Sequence, residues 1–83
     1  MEIVWKREDF IFDTIRESEV WADSISNEMF GRTISGYITP DYKIAYSLAF
    51  FLAQIDEFQV HTKNFYEKES GLDLYKIWVS YKT

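Results

Sequence analysis

A chain of 83 residues without a single cysteine has to hold itself together by packing alone. Disulfides and thiolate zinc sites, the common staples of short chains, are both excluded. A chain of this length buries only about 60–65% of the surface that its unfolded form exposes, so its core must be dense. Seven Phe, six Tyr and three Trp supply that density. Each buried ring removes roughly 150–250 Å² from water, more than an aliphatic side chain does. There is no repeat and no linker, and three Gly and one Pro serve as punctuation. One domain over residues 1–83 is expected.

Residues 2–6 are short, β-branched and aromatic, which suits a strand. Residues 8–29 switch to helical spacing: Ile11, Ile15, Ala22, Ile25 and Met29 form one apolar stripe, with Phe10 and Trp21 at its edge. Gly31 is a natural stop, and Ser24 to Asn27 weaken the second half, leaving room for a break near Glu19 or Ser24. Thr39-Pro40-Asp41 is the clearest local signal: Thr caps, Pro fits the first helical position and Asp follows in the first turn. The helix that it opens runs to about Ile55 and is apolar on nearly every side, so it is expected at the centre of the core, with Tyr42, Tyr46 and Phe50 packed inside. Alternation of Tyr42, Ile44, Tyr46 and Leu48 offers a competing strand, but the cap and three alanines favour helix. Trp5 and Trp78 are also expected in the core, whereas Tyr37, Tyr66, Tyr75 and Tyr81 suit an interface because Tyr keeps a polar tip.

Phe58, Val60 and Thr62 alternate with polar neighbours, as do Tyr75, Ile77, Val79 and Tyr81, and Glu69-Ser70-Gly71 turns between the two runs. This reads as a hairpin, with a helix over 57–68 as the other option for the first arm. The simplest assembly is α+β in the order β-α-α-β-β: about three antiparallel strands with two helices on one face.

Motifs for chemistry are weak. His61 is the only histidine and has no cysteine partner; it is expected on the exposed face of a strand. Gly31-Arg-Thr-Ile-Ser-Gly36 has the spacing of a phosphate loop, but Tyr37 stands where the phosphate-binding Lys is required. Asp56 and Glu57, like Asp9 and Asp13, are carboxylate pairs with no sign of a cleft around them. No twelve-residue calcium loop is present. No cofactor, no metal and no catalytic group is therefore expected.

Charge is the asymmetric property. Residues 8–31 carry seven acids (Glu8, Asp9, Asp13, Glu17, Glu19, Asp23 and Glu28) against one base, Arg16, in a chain whose total is −5. On a continuous helix Asp9, Asp13 and Glu17 would stack about 6 Å apart, at four residues of about 1.5 Å rise each. Like charges at that spacing are mildly destabilising. Val20 falls among them, an apolar side chain inside an acidic face, as in an interface anchor with a charged rim. Asp9, Asp13, Glu17, Val20 and Asp23 are the expected partner-binding residues. Acids that simply keep a small protein soluble are the plainer alternative.

The expected function is a small acidic protein-binding module, an inhibitor or regulator that docks on a basic surface of a larger protein. Nucleic-acid-processing enzymes expose such surfaces, and the acids would stand where phosphates do. By analogy of type alone, such a domain suits a phage, mobile-element or antidote protein. A pI near 4.7 argues against direct contact with nucleic acid. The N-terminal residues lack the apolar run of a secretory signal, and the longest apolar stretch, 44–53, is about half a membrane span. A cytoplasmic protein with no membrane contact is expected. The alternatives are a self-associating protein, a homodimer paired through an aromatic edge strand at 74–82 that Lys76 and Lys82 would otherwise guard, and, less in keeping with the residues, a small enzyme.

Overall fold

The computed structural model describes residues 2–82, so Met1 and Thr83, the ends of the expected domain, lie outside it. The elements run β1 (Trp5–Arg7), α1 (Ile15–Phe30), β2 (Gly36–Thr39), α2 (Tyr42–Ala53), β3 (Phe58–Glu67) and β4 (Leu72–Tyr81). The four strands form one sheet in the order β1-β2-β4-β3. β4 is antiparallel to both of its neighbours, and β1 is parallel to β2. The fold is a small α+β domain, with a mixed four-stranded sheet in place of the three antiparallel strands expected. The extra strand is β2, Gly36–Thr39, between the glycine-bounded 31–36 stretch and the Pro40 that precedes α2. Its backbone pairs on both sides, Tyr37 lying opposite Lys6 of β1 and Ile77 of β4. Parallel neighbours need a long crossover, and α1 provides it.

α1 begins at Ile15, not near residue 8. Thr14 is its cap: the hydroxyl accepts the Glu17 N–H at 3.3 Å and donates to the Glu17 carboxylate at 3.0 Å. Residues 8–12 stay outside the helix, held by other partners. Glu8 N–H donates to the Ile38 carbonyl, extending the β1–β2 pairing, and Phe12 N–H donates to Asp41 Oδ2 at 2.8 Å. Phe10 and Phe12 pack edge-on against each other, 5.0 Å between centroids, and Phe10 meets Trp21 likewise at 5.1 Å. The apolar stripe therefore divides. Ala22, Ile25 and Met29 are buried, and Ile11 and Ile15 face water. The helix ends at Gly31, but the left-handed residue that turns the chain is Arg32, with φ of 68°.

α2 is capped by Asp41, not Thr39. Thr39 belongs to β2, and its hydroxyl accepts the Asp41 N–H at 3.0 Å, while Asp41 Oδ1 accepts the Lys43 N–H at 2.9 Å. The core lies between the two helices and one side of the sheet. It joins Ala22, Ile25 and Met29 of α1, Ile44, Leu48 and Leu52 of α2, and Tyr37, Phe58, Ile77 and Val79 of the strands. Each fully buried aliphatic side chain there contributes roughly 1.5–3 kcal/mol. Tyr37, an expected interface residue, is completely buried, and its hydroxyl accepts the Trp21 indole N–H at 3.0 Å. Burial pushes its phenol well above the ordinary range. The hairpin is as expected: β3 and β4 pair over ten residues each, and Gly71 takes φ of 70° in the turn.

Candidate functional site

Trp5–Arg7 is a short strand, yet it settles the fate of three acids. Lys6 contacts both Glu8 and Glu28 at 3.3 Å, and Arg7 Nε donates to Asp9 at 2.7 Å. Arg7 also grips Glu67 with two parallel hydrogen bonds of 2.8 and 2.9 Å. That fork, helped by Ser70, holds the Glu67 carboxyl down at about 2. It also raises the guanidinium of Arg7, with Asp9 adding to the effect. Partial burial works against the Lys6 ammonium, but hydrogen bonds to Glu28 and Glu8 leave its pKa raised.

Of the seven acids in the segment, four remain without an ion pair among the described residues: Asp13, Glu17, Glu19 and Asp23. All four are exposed. Asp9 and Asp13 precede the helix, so the stack Asp9–Asp13–Glu17 does not form on α1. Asp9 is neutralised by Arg7, and Asp13 sits just before the Thr14 cap. Glu17, Val20 and Asp23 do share the outward half of α1. At 100° per residue Val20 lies nearly opposite the buried stripe of Ser18, Ala22, Ile25 and Met29, and it is 70% exposed. Glu19 joins this group.

The larger departure is on α2. Tyr42, Tyr46 and Phe50 were expected in the core, but they form an outward ridge, 61%, 79% and 64% exposed. The physical reason is the number of layers. One sheet and one other helix cover two sides of α2, and its third side must meet water. Tyr46 and Phe50 stand between two grooves. One, of about 370 Å³, runs toward α1 and is completed by Ile15, Glu19, Ser47 and Phe51. The other, of about 470 Å³, drops toward the hairpin over Ala45 and Ala49, with Thr62 and Tyr75 at its far wall. The unpaired carboxylate of Glu19 thus borders an exposed aromatic ridge. The i, i+4, i+8 spacing of the ridge was visible in the sequence; that no third layer was available to cover it was the signal for reading it as surface.

Chemically, these grooves offer rings, methyl groups and a few hydroxyls. Among the described residues no three His, Asp or Glu side chains gather as metal ligands, and no helix is long and apolar enough to cross a membrane. His61 lies on a strand, its Nε2 2.8 Å from the Ser80 hydroxyl. Comparison of the chain with protein-family models, with curated proteins and with solved structures found no match.

Proposed function

We propose that this chain is a protein-binding module that sets its helical layer against a basic, partly apolar surface of a larger protein and regulates it. One observation carries the reading: the unpaired carboxylate of Glu19 on α1 lines a groove with the uncovered Tyr46 and Phe50 of α2. Aromatic anchors ringed by charge are how interface centres and rims are built. The partner's Lys and Arg side chains would meet Glu17, Glu19 and Asp23, and its apolar groups would cover the ridge. A nucleic-acid-processing enzyme, whose groove is basic by necessity, is the partner class that fits. Inhibition by occupying such a groove follows the same complementarity, and the chain itself supplies no catalytic group in this reading. Steering by opposite charges makes association fast and salt-sensitive.

Affinity capture from the native host, at low and high salt, tests this with three baits: the wild type, Glu19→Lys/Asp23→Lys, and Tyr46→Ser. A basic protein that binds the wild type, elutes with salt and is missed by both variants is the expected result. Capture of the same proteins by all three baits would sink the reading.

A second reading, self-association, keeps one supporting observation. β4 is flanked by β2 and β3, so it is not the free edge expected at 74–82. The long free edge is β3, ten residues with one side unpaired. Light scattering decides it: a dimer that Val60→Pro dissociates supports pairing through β3, and a strict monomer at high concentration removes it.

A further inference from the structure

The side of the sheet away from the helices buries Leu74 completely but leaves Trp5 and Lys63 exposed, and its composition differs from that of the rest of the molecule. Register places Trp5, Gly36, Trp78 and His61 in one row across the four strands, and Arg7, Ile38, Lys76 and Lys63 in the next. The strand residues on this face include three bases and a single acid, Glu67, which Arg7 already holds. Lys63 and Lys76 are direct cross-strand partners. Like charges placed opposite one another destabilise a sheet. In a chain with fourteen acids and nine bases, neither lysine has a carboxylate partner among the described residues.

Rings surround these charges. Trp5 meets Trp78 edge-on at 6.0 Å, and His61 lies near-parallel to Trp78 at 5.4 Å. The Lys76 ammonium is held 5.3 Å from the Trp5 ring and 4.8 Å from the Phe65 ring. Gly36 makes the row possible. A Cβ there would stand 2.5 Å from Trp5 Cε3, so the indole occupies the space that any other side chain would take. Trp5 stays 38% exposed.

We propose that this open face binds single-stranded nucleic acid. Trp5 and His61, the latter backed by Trp78, take bases by stacking, and Lys63 and Lys76 take backbone phosphates. Interleaved rings and cations are what a single strand requires, since every base has a π-face and every linkage a charge. An acidic peptide would use the lysines and leave the rings idle. The low pI averages over the whole surface and does not describe this face. The unpaired acids of α1, Glu17, Glu19 and Asp23, lie on the helical layer, about 10 Å or more from the sheet. That exceeds the screening length of about 8 Å at physiological salt, so their repulsion is largely damped. The inference is independent of the helical docking surface, which is on the other side of the sheet.

The test is fluorescence anisotropy of a short fluorescein-labelled oligothymidylate, with tryptophan emission followed in parallel. At low salt we expect saturable binding and quenched tryptophan. The slope of log K against log salt should be about −1.4, from two phosphates at about 0.7 each. Lys63→Gln, on an exposed edge position, should lower that slope by about 0.7. Trp5→Leu should weaken binding at least about fivefold, with circular dichroism confirming the fold. The proposal is overturned by an absence of binding at low salt, by an unchanged affinity in Trp5→Leu, or by tighter binding to phosphatidylserine vesicles than to the oligonucleotide. It is equally overturned if polyphosphate or poly-aspartate, which lack rings, displaces the strand as effectively as unlabelled oligothymidylate.

Discussion

Replacing Asp41 with Ala should cost this protein about 2–4 kcal/mol, far more than its position between two elements would imply. Asp41 is 1% exposed, and its two oxygens do separate work. Oδ1 caps α2 through the Lys43 N–H, and Oδ2 holds the Phe12 N–H at 2.8 Å, pinning the segment before α1. Loss of a cap costs about 1 kcal/mol. A buried N–H left without an acceptor costs a further 1–3 kcal/mol or so. The Lys43 ammonium, 3.0 Å from Oδ1 on a side chain only 13% exposed, also loses its counter-charge. For a domain of this size 1 kcal/mol moves the melting temperature by roughly 4–8 °C, so Asp41→Ala should lower it by about 8–32 °C. Asp41→Asn keeps one acceptor oxygen and should lose about half as much. Urea unfolding followed by circular dichroism gives the free energies, provided that the slope m is unchanged. A loss in Asp41→Ala below about 0.5 kcal/mol, the ordinary scatter of surface substitutions, would refute the claim that this carboxylate ties the two segments together.

Three further perturbations follow from the same structure. Gly36→Ala puts a methyl 2.5 Å from Trp5 and 2.9 Å from Ile3 Cγ2, so it should cost about 1–3 kcal/mol by overpacking; an unchanged near-UV spectrum would show that the indole does not lie there. Arg32 has φ of 68° and a guanidinium 5.1 Å from the Tyr81 ring, so the fair comparison is between two variants that both lack the cation. Arg32→Gly should be more stable than Arg32→Ala by about 1 kcal/mol in denaturant unfolding, and equal stability would contradict the left-handed turn. The Glu67 carboxyl is lowered from 4.5 to about 2 by Arg7. The folded state then binds fewer protons than the unfolded chain, so this contribution is fully present above pH 4.5 and is lost as the pH falls toward 2. Wild type and Glu67→Gln should accordingly differ most above that window and converge at its acid end; a constant difference would show that the carboxylate is not held by Arg7.

Elements with local signatures were legible in the sequence. The β3–β4 hairpin announces itself by alternation and a Gly turn, and α2 by polar residues at its start, although the cap proved to be Asp41. β2 was not legible because its partners are remote. A parallel pairing leaves no turn beside it, and the four residues Gly36–Thr39 are too few to show an alternation of their own. The start of α1 had a signal in Thr14 and Glu17, a cap residue and an acid three positions on. Apolar spacing through Ile11 outweighed it, and that displaced Asp9 and Asp13 from the helix face. Glu17, Val20 and Asp23 remained together because they lie within the true helix. The α2 ridge and the open-face lysines depend on which sides are covered, a tertiary property that spacing does not carry.

The strand order has a consequence for synthesis. β4 joins β2 to β3, yet it is the last of the six elements to leave the ribosome. Until it arrives, β1 and β2 have only each other to pair with, and β2 presents an open edge. The sheet therefore closes only after the helices and the first three strands are already made. Completion of the sheet waits on these ten residues, and a cut within the 68–71 turn would separate β4 from both of its neighbours.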